Sequence, residues 1–267
     1  MQITTFDRYV GGASLVHRLD PRVKLAVTLL FILSNALLPD GAWLAFAAAW
    51  GFILLSCVLA GLGPGFTLKR SFVALPFALA AVSVVFALPG RPLFALDLGP
   101  WHLVATDAGL VRFSSIVTRS WLSVQLAILL VATTQFPDLL HALRHLRVPQ
   151  ILVAVIALMY RYLYVVGDET QRLLRARDAR SARATGHPAG GSLLWRARVA
   201  GSMAGQLFLR SYDRSDRVYN AMLARGYRGQ VLALSPHVMV RRDWTVGAAA
   251  VALLLLVQAI GQLGAIR

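Results

Sequence analysis

Two arginines stand out by their setting. Ala179-Arg180-Ser181 and Ala224-Arg225-Gly226 repeat one pattern, an arginine between small residues. A guanidinium stays charged and presents fixed donors, so it suits an acidic groove or a set of backbone carbonyls. At a helix end the same group also interacts with the macrodipole. Val218, Met222 and Arg225 fall at i, i+4 and i+7 and share one helix face. Gly226 then sits where a helix cap is expected. Arg180 has the same character, lying after Leu173 near the end of its own helix. Both motifs belong to residues 172–242, which hold fourteen arginines against only Asp178, Asp213 and Asp216.

Other reactive chemistry is sparse. His141 and His145 are spaced i, i+4, which can place two metal ligands on one helix face. Asp138 is the only carboxylate close by, and Arg144 and Arg147 would repel a cation. The expectation is therefore no metal site and no catalytic residue. The chain has no Walker loop, Gly-rich dinucleotide motif or zinc-protease motif. Cys57 is the only cysteine, so no internal disulfide and no cysteine-based metal site can form. Aromatic residues interleave little with the arginines, which disfavours nucleic acid as the partner.

The elements that position these residues follow from composition. The chain is 57% hydrophobic and 15% charged, against about 25% charged in soluble domains. Net charge is +15 and mean hydropathy +0.63. Apolar runs near membrane-spanning length cover 23–39, 41–61, 72–90, 113–134 and 244–264. A shorter run, 150–166, carries Arg161. Spans in lipid must satisfy their own backbone, so these are helices. Pro76 is expected to kink the third, and Arg119 to snorkel from the fourth toward the outer interface. Residues 1–22 lack the apolar region of a cleaved signal peptide, so the first run is expected to remain as an anchor.

Basic flanks set the expected topology. Arg18, Arg22 and Lys24 precede the first span, Lys69 and Arg70 the third, and Arg144 and Arg147 follow the fourth. These lie inside. Connections 39–41 and 88–112 fit outside. Keeping the arginine-rich region in the cytoplasm requires five full spans, with 150–166 a buried or partly inserted helix. Six spans is the alternative. Beyond 166 the first basic helix is expected to run to about 184, stopping at Gly186-His187-Pro188. A flexible link at 189–192 leads to a second helix over about 193–225. Ala200, Met203, Ala204, Leu207, Phe208 and Tyr212 give that helix an apolar stripe. Gly201 and Gly205, four apart, would permit a close helix crossing.

Four collinear stretches carry a family resemblance. The opening is His17-Arg18-Leu19-Asp20-Pro21-Arg22-Val23-Lys24. The second is Pro137-Asp138-Leu139-Leu140 with Ala142-Leu143-Arg144 and Val148-Pro149. The third is Tyr160-Arg161-Tyr162, Asp168-Glu169 and Arg175 through Ser181. The last is Arg217-Val218-Tyr219 and Ala221 through Tyr227. The chain resembles the transmembrane T component of energy-coupling factor transporters, of the cobalt/nickel CbiQ type. Ser181 stands where the family commonly has Gly in the first motif.

The resemblance implies an all-α polytopic membrane protein. Residues 1–149 would hold four transmembrane helices, 150–243 a cytoplasmic coupling domain of long amphipathic helices, and 244–267 a last span. Ala179, Arg180, Ser181, Ala224, Arg225 and Gly226 would dock two ABC-type ATPase subunits, one arginine to each. A separate substrate-binding membrane S component would complete the complex in the bilayer. This chain would bind no cofactor, ATP and Mg being held by the ATPases, and it would catalyse no reaction. The transported substrate would be cobalt or nickel. The alternatives are a vitamin such as biotin, or a membrane-anchored basic interaction protein. Gly201, Gly205 and the apolar stripe would let the two helices slide or pivot as the ATPases close.

Overall fold

Asp20-Pro21 starts the first helix by local chemistry. The Asp20 carboxylate accepts from the Arg22 amide at 2.8 Å, and Pro21 occupies the first turn, where a missing N–H costs nothing. Helix α1 runs Pro21–Ala36 and α2 Trp43–Ala60, the latter stopped by left-handed Gly61. The computed structural model describes residues 9–98, 101–146, 148–180, 192–229 and 239–265. Within it follow α3 (Pro64–Arg70), a 3-10 turn at Ser71–Ala74, α4 (Leu75–Ala81) and α5 (Ser83–Ala87). Strands β1 (Pro92–Leu98) and β2 (Trp101–Thr106) precede α6 (Asp107–Thr133) and α7 (Phe136–His145). The last helices are α8 (Gln150–Arg180), α9 (Leu193–Ala224) and α10 (Arg241–Ala265).

Among the described residues, five helical segments are long and apolar enough to cross a membrane: 43–60, 65–87, 107–133, 150–180 and 241–263. The number matches the sequence expectation, but the membership does not. Helix α1 has 16 residues, a rise of about 24 Å against a hydrocarbon core of about 30 Å. Conversely, the apolar run at 150–166 belongs to one uninterrupted 31-residue helix. The third span is broken where Pro76 predicts: the 3-10 turn ends just before it, because proline cannot donate and crowds the preceding turn.

The connection 88–112 was expected as an outer loop, and most of it is a β-hairpin. Strands β1 and β2 pair antiparallel from Leu98↔Trp101 out to Pro92↔Thr106, with an irregularity between Pro92 and Phe94. Thr106 then caps α6, its hydroxyl accepting from the Gly109 amide at 3.2 Å. A Cβ at Gly109 would collide with the Val85 carbonyl, so this glycine permits the close approach of α5 and α6.

The chain divides into two compact units, one of residues 7–142 with 236–267, the other centred on 143–235. In the first, α1, α2, α6 and α10 pack around Phe31, Phe46, Ile53, Cys57, Leu122, Leu126 and Val257. Polar ties fix the helices at both ends. At one end Arg119 pairs with Asp40 at 2.8 Å and donates to the Leu38 carbonyl. Asn35 donates to the Arg119 carbonyl at 2.9 Å and to Ser123 at 3.0 Å. Arg119 therefore pins the α1–α2 connection to α6, rather than merely reaching for an interface. At the other end the Asp243 carboxylate accepts from the amides of Asp20 at 3.3 Å and Val240 at 3.0 Å, tying the starts of α1 and α10. Buried Lys24 donates to the carbonyls of His17 at 3.2 Å and Thr133 at 3.1 Å.

The second unit is two long helices, α8 and α9, in contact. Only Ala154 is buried in α8, and no residue is buried in α9. Helix α9 starts at Ser192, whose hydroxyl accepts from the Trp195 amide at 3.3 Å.

Candidate docking site at the helix ends

The end of α9 is built by a complete Schellman motif. The Tyr227 amide donates to the Met222 carbonyl at 3.0 Å, and the Gly226 amide to the Leu223 carbonyl at 2.9 Å. Gly226 has φ +78°, a left-handed conformation that side-chain-bearing residues resist. Arg225 is the cap residue, its own amide bonded back to Ala221 and Met222. The sequence expectation of a glycine cap holds here, at the position just past Arg225. Val218 and Met222 are half-buried on the helix, while Ala224 and Arg225 are exposed.

Ala179 and Arg180 end α8 and are exposed as well. Ser181, the third member of that motif, lies outside the described residues, as do Gly186, His187 and Pro188. Just before the motif, Arg177 claims Asp178 at 2.8 Å. Among the described residues, neither Arg180 nor Arg225 has a carboxylate within 4.0 Å. Two permanent cations are thus held at helix ends with no acidic partner among the described residues.

The apolar face of α9 is rotated from the stripe read in sequence. Val199, Met203, Leu207, Ser211, Arg214, Val218 and Met222 are half-buried and recur at helical spacing. Ala200, Ala204, Phe208 and Tyr212 are exposed instead. The glycine pair also needs correction. A Cβ at Gly201 or Gly205 would meet nothing within 4 Å, so no described helix of this chain crosses α9 there. The contact is fixed elsewhere. Glu169 on α8 accepts from Arg210 at 3.0 Å and Arg214 at 3.1 Å, two arginines one turn apart on α9. Sequence reading noted Glu169 only as part of the third stretch. The available signal was the i, i+4 spacing of Arg210 and Arg214, hidden among fourteen arginines.

Large apolar side chains remain uncovered on this unit. Leu193, Leu194, Phe208, Leu209, Tyr212 and Tyr219 are exposed on α9, and Ile151, Leu152, Val155 and Met159 on α8. Apolar surface of this extent marks contact with lipid or with another protein. The histidine pair offers no comparable site. His141 Nε2 lies 2.8 Å from an Arg22 guanidinium nitrogen and can only accept from it. That nitrogen faces a cation already.

Comparison with known proteins agrees with this architecture. The profile of the CbiQ family, described as cobalt transport protein, matches residues 12–236. A protein of Brevibacillus brevis named energy-coupling factor transporter transmembrane protein EcfT is 30% identical over 245 residues, covering 86% of this chain and 87% of that protein. Its namesake in Thermosediminibacter oceani is 29% identical over 239 residues, 86% of each chain. That of Lacticaseibacillus paracasei is 29% identical over 255 residues, 89% of this chain and 90% of the relative.

Proposed function

Because the chain belongs to the CbiQ family of cobalt transport proteins, we propose that it is the energy-coupling transmembrane subunit of an uptake transporter. Its partners are two ABC-type ATPase subunits and a substrate-binding membrane S component. The substrate is a cobalt or nickel ion, carried by the S component. ATP and Mg act on the ATPases, and this chain transmits their motion. The family description supports the metal, and the relatives' names support energy coupling.

One observation carries the reading: a Schellman turn presents Arg225 at an exposed helix end with no acidic partner in the described chain. Arg180 stands likewise at the end of α8. A guanidinium so placed can fork onto carboxylates or carbonyls lining a groove, and a helix end in a groove is a recurrent docking mode. ATP binding closes the ATPase dimer and carries its two grooves together. Work is transmitted only if the grooves hold the helices differently with and without ATP. The glycine pair Gly201/Gly205, open on α9, then serves a partner helix rather than α8.

The test is co-purification with the ATPase pair, wild type against Arg180→Ala/Arg225→Ala, with ATP hydrolysis read on the assembled complex. Loss of assembly or of coupled hydrolysis, in a variant that still inserts into the membrane, supports the reading. Unchanged assembly and hydrolysis reject it. A vitamin such as biotin is the competing substrate, since the relatives' names specify coupling without a cargo. Uptake of labelled cobalt against labelled biotin in the reconstituted complex separates the two.

A further inference from the structure

The helical bundle of the first unit lines a half-open cavity of about 300 Å³ between the chain before α1 and helices α1, α2, α6 and α10. That volume is at the lower end of small-molecule sites. Its walls are mostly aliphatic and aromatic, with Phe52, Leu129 and Leu253 among them. Three hydroxyls also face it, but Thr28, Ser56 and Thr133 donate to the carbonyls of Lys24, Phe52 and Leu129, each 2.8 Å away in its own helix. The groups left to meet a polar ligand are two cations, Lys24 and Arg242.

Their chemistry asks for an anion. Lys24 is 9% exposed and spends two donors on carbonyls, at 3.2 and 3.1 Å. An ammonium has three. Among the described residues no carboxylate lies within 4.0 Å of it, and Asp138, Asp20 and Asp243 act on its charge from farther off. Of these three, Asp20 also accepts from the Arg22 amide, and Asp243 from those of Asp20 and Val240. Neither lines the cavity. Arg242 is exposed, and its guanidinium donates to the Leu15 carbonyl at 3.2 Å. Both cations stand in the first turns of their helices, α1 and α10, at one end of the bundle. An apolar slot with cations at one end matches one acyl chain and the head group above it.

We propose that the cavity binds an anionic phospholipid, one acyl chain between the helices and the phosphate held by Lys24 and Arg242. The site does not depend on the coupling function proposed above. Basic residues at the cytoplasmic interface attract anionic lipid in general; here the cavity adds a defined place for the chain.

Native mass spectrometry of the full chain decides the matter, titrating phosphatidylglycerol and phosphatidylcholine with identical acyl chains. A charge-assisted contact predicts a first phosphatidylglycerol adduct at about tenfold lower lipid concentration. Arg242→Gln, at an exposed position, should bring the two lipids within about threefold. Ala250→Phe, which fills the cavity from α10 without touching a charge, should abolish the first adduct of both. Equal binding of the two lipids by the wild type overturns the proposal. So does an undiminished preference in Arg242→Gln, whether or not Ala250→Phe folds.

Discussion

The two units solve opposite problems. In the bundle of α1, α2, α6 and α10, side chains such as Phe31 and Ile53 are almost wholly enclosed, and buried polar groups are spent on helix ends. In α8 and α9 almost nothing is enclosed, and charge faces outward. A helix stable in isolation needs a packed face or strong propensity. The long helices have a half-buried stripe and one ion-pair cluster, with apolar surface left over. The contrast teaches where the molecule keeps its own shape and where it expects another surface to complete it.

Substitutions can break or sharpen that contrast. Phe31→Ala should cost most, about 3–5 kcal/mol, visible as a large fall in thermal midpoint of the detergent-solubilised chain. Phe208→Ala, the same change on α9, should alter stability by less than about 0.5 kcal/mol and leave that midpoint nearly unchanged. Comparable losses from the two would dissolve the distinction between the units. Asp243→Ala releases two amides that its carboxylate serves and should cost about 2 kcal/mol in the same assay; a value near zero would mean water replaces it freely.

Smaller effects belong to the long helices. Gly226→Ala forces a Cβ into a left-handed position, so about 1 kcal/mol is expected, with helical content falling slightly by circular dichroism. If Gly226→Ala binds the proposed ATPase partners as wild type does, the turn only ends the helix and does not aim Arg225. Glu169→Gln is expected to cost least, below about 1 kcal/mol, because all three partners retain solvent contact. Its signature should be an altered distance distribution between spin labels on α8 and α9. An unchanged distribution would assign the contact to the apolar stripe alone.

How much was legible in sequence depended on whether the cause was local. Gly226 announces a helix end through its own backbone chemistry and stands where expected; Asp20-Pro21 starts a helix by equally local chemistry, two residues before the first apolar run. Pro76 likewise marks the break in the third span. The stripe on α9 was misplaced because many small and apolar residues share that helix, and only contact with α8 selects Met203 and Leu207 over Ala204 and Phe208. The hairpin at 92–106 was missed because charges flanking it were read for topology, while alternation along Phe94, Leu96 and Leu98 was not. Arg119 called for its partner Asp40, whose nearness is a product of folding. At the candidate site, both arginines stand out by pattern, whereas Glu169, which ties their helices, does not.

The position of Glu169 has a mechanical consequence. It precedes Arg180 by eleven residues, and Arg214 precedes Arg225 by the same eleven. Each arginine therefore stands about 16 Å along its helix from the shared ion pair. Two arms of equal length on one fulcrum convert forces of equal size across them into torques of equal size. Equal and opposite pushes at the two ends would turn the arms about that contact without carrying it sideways.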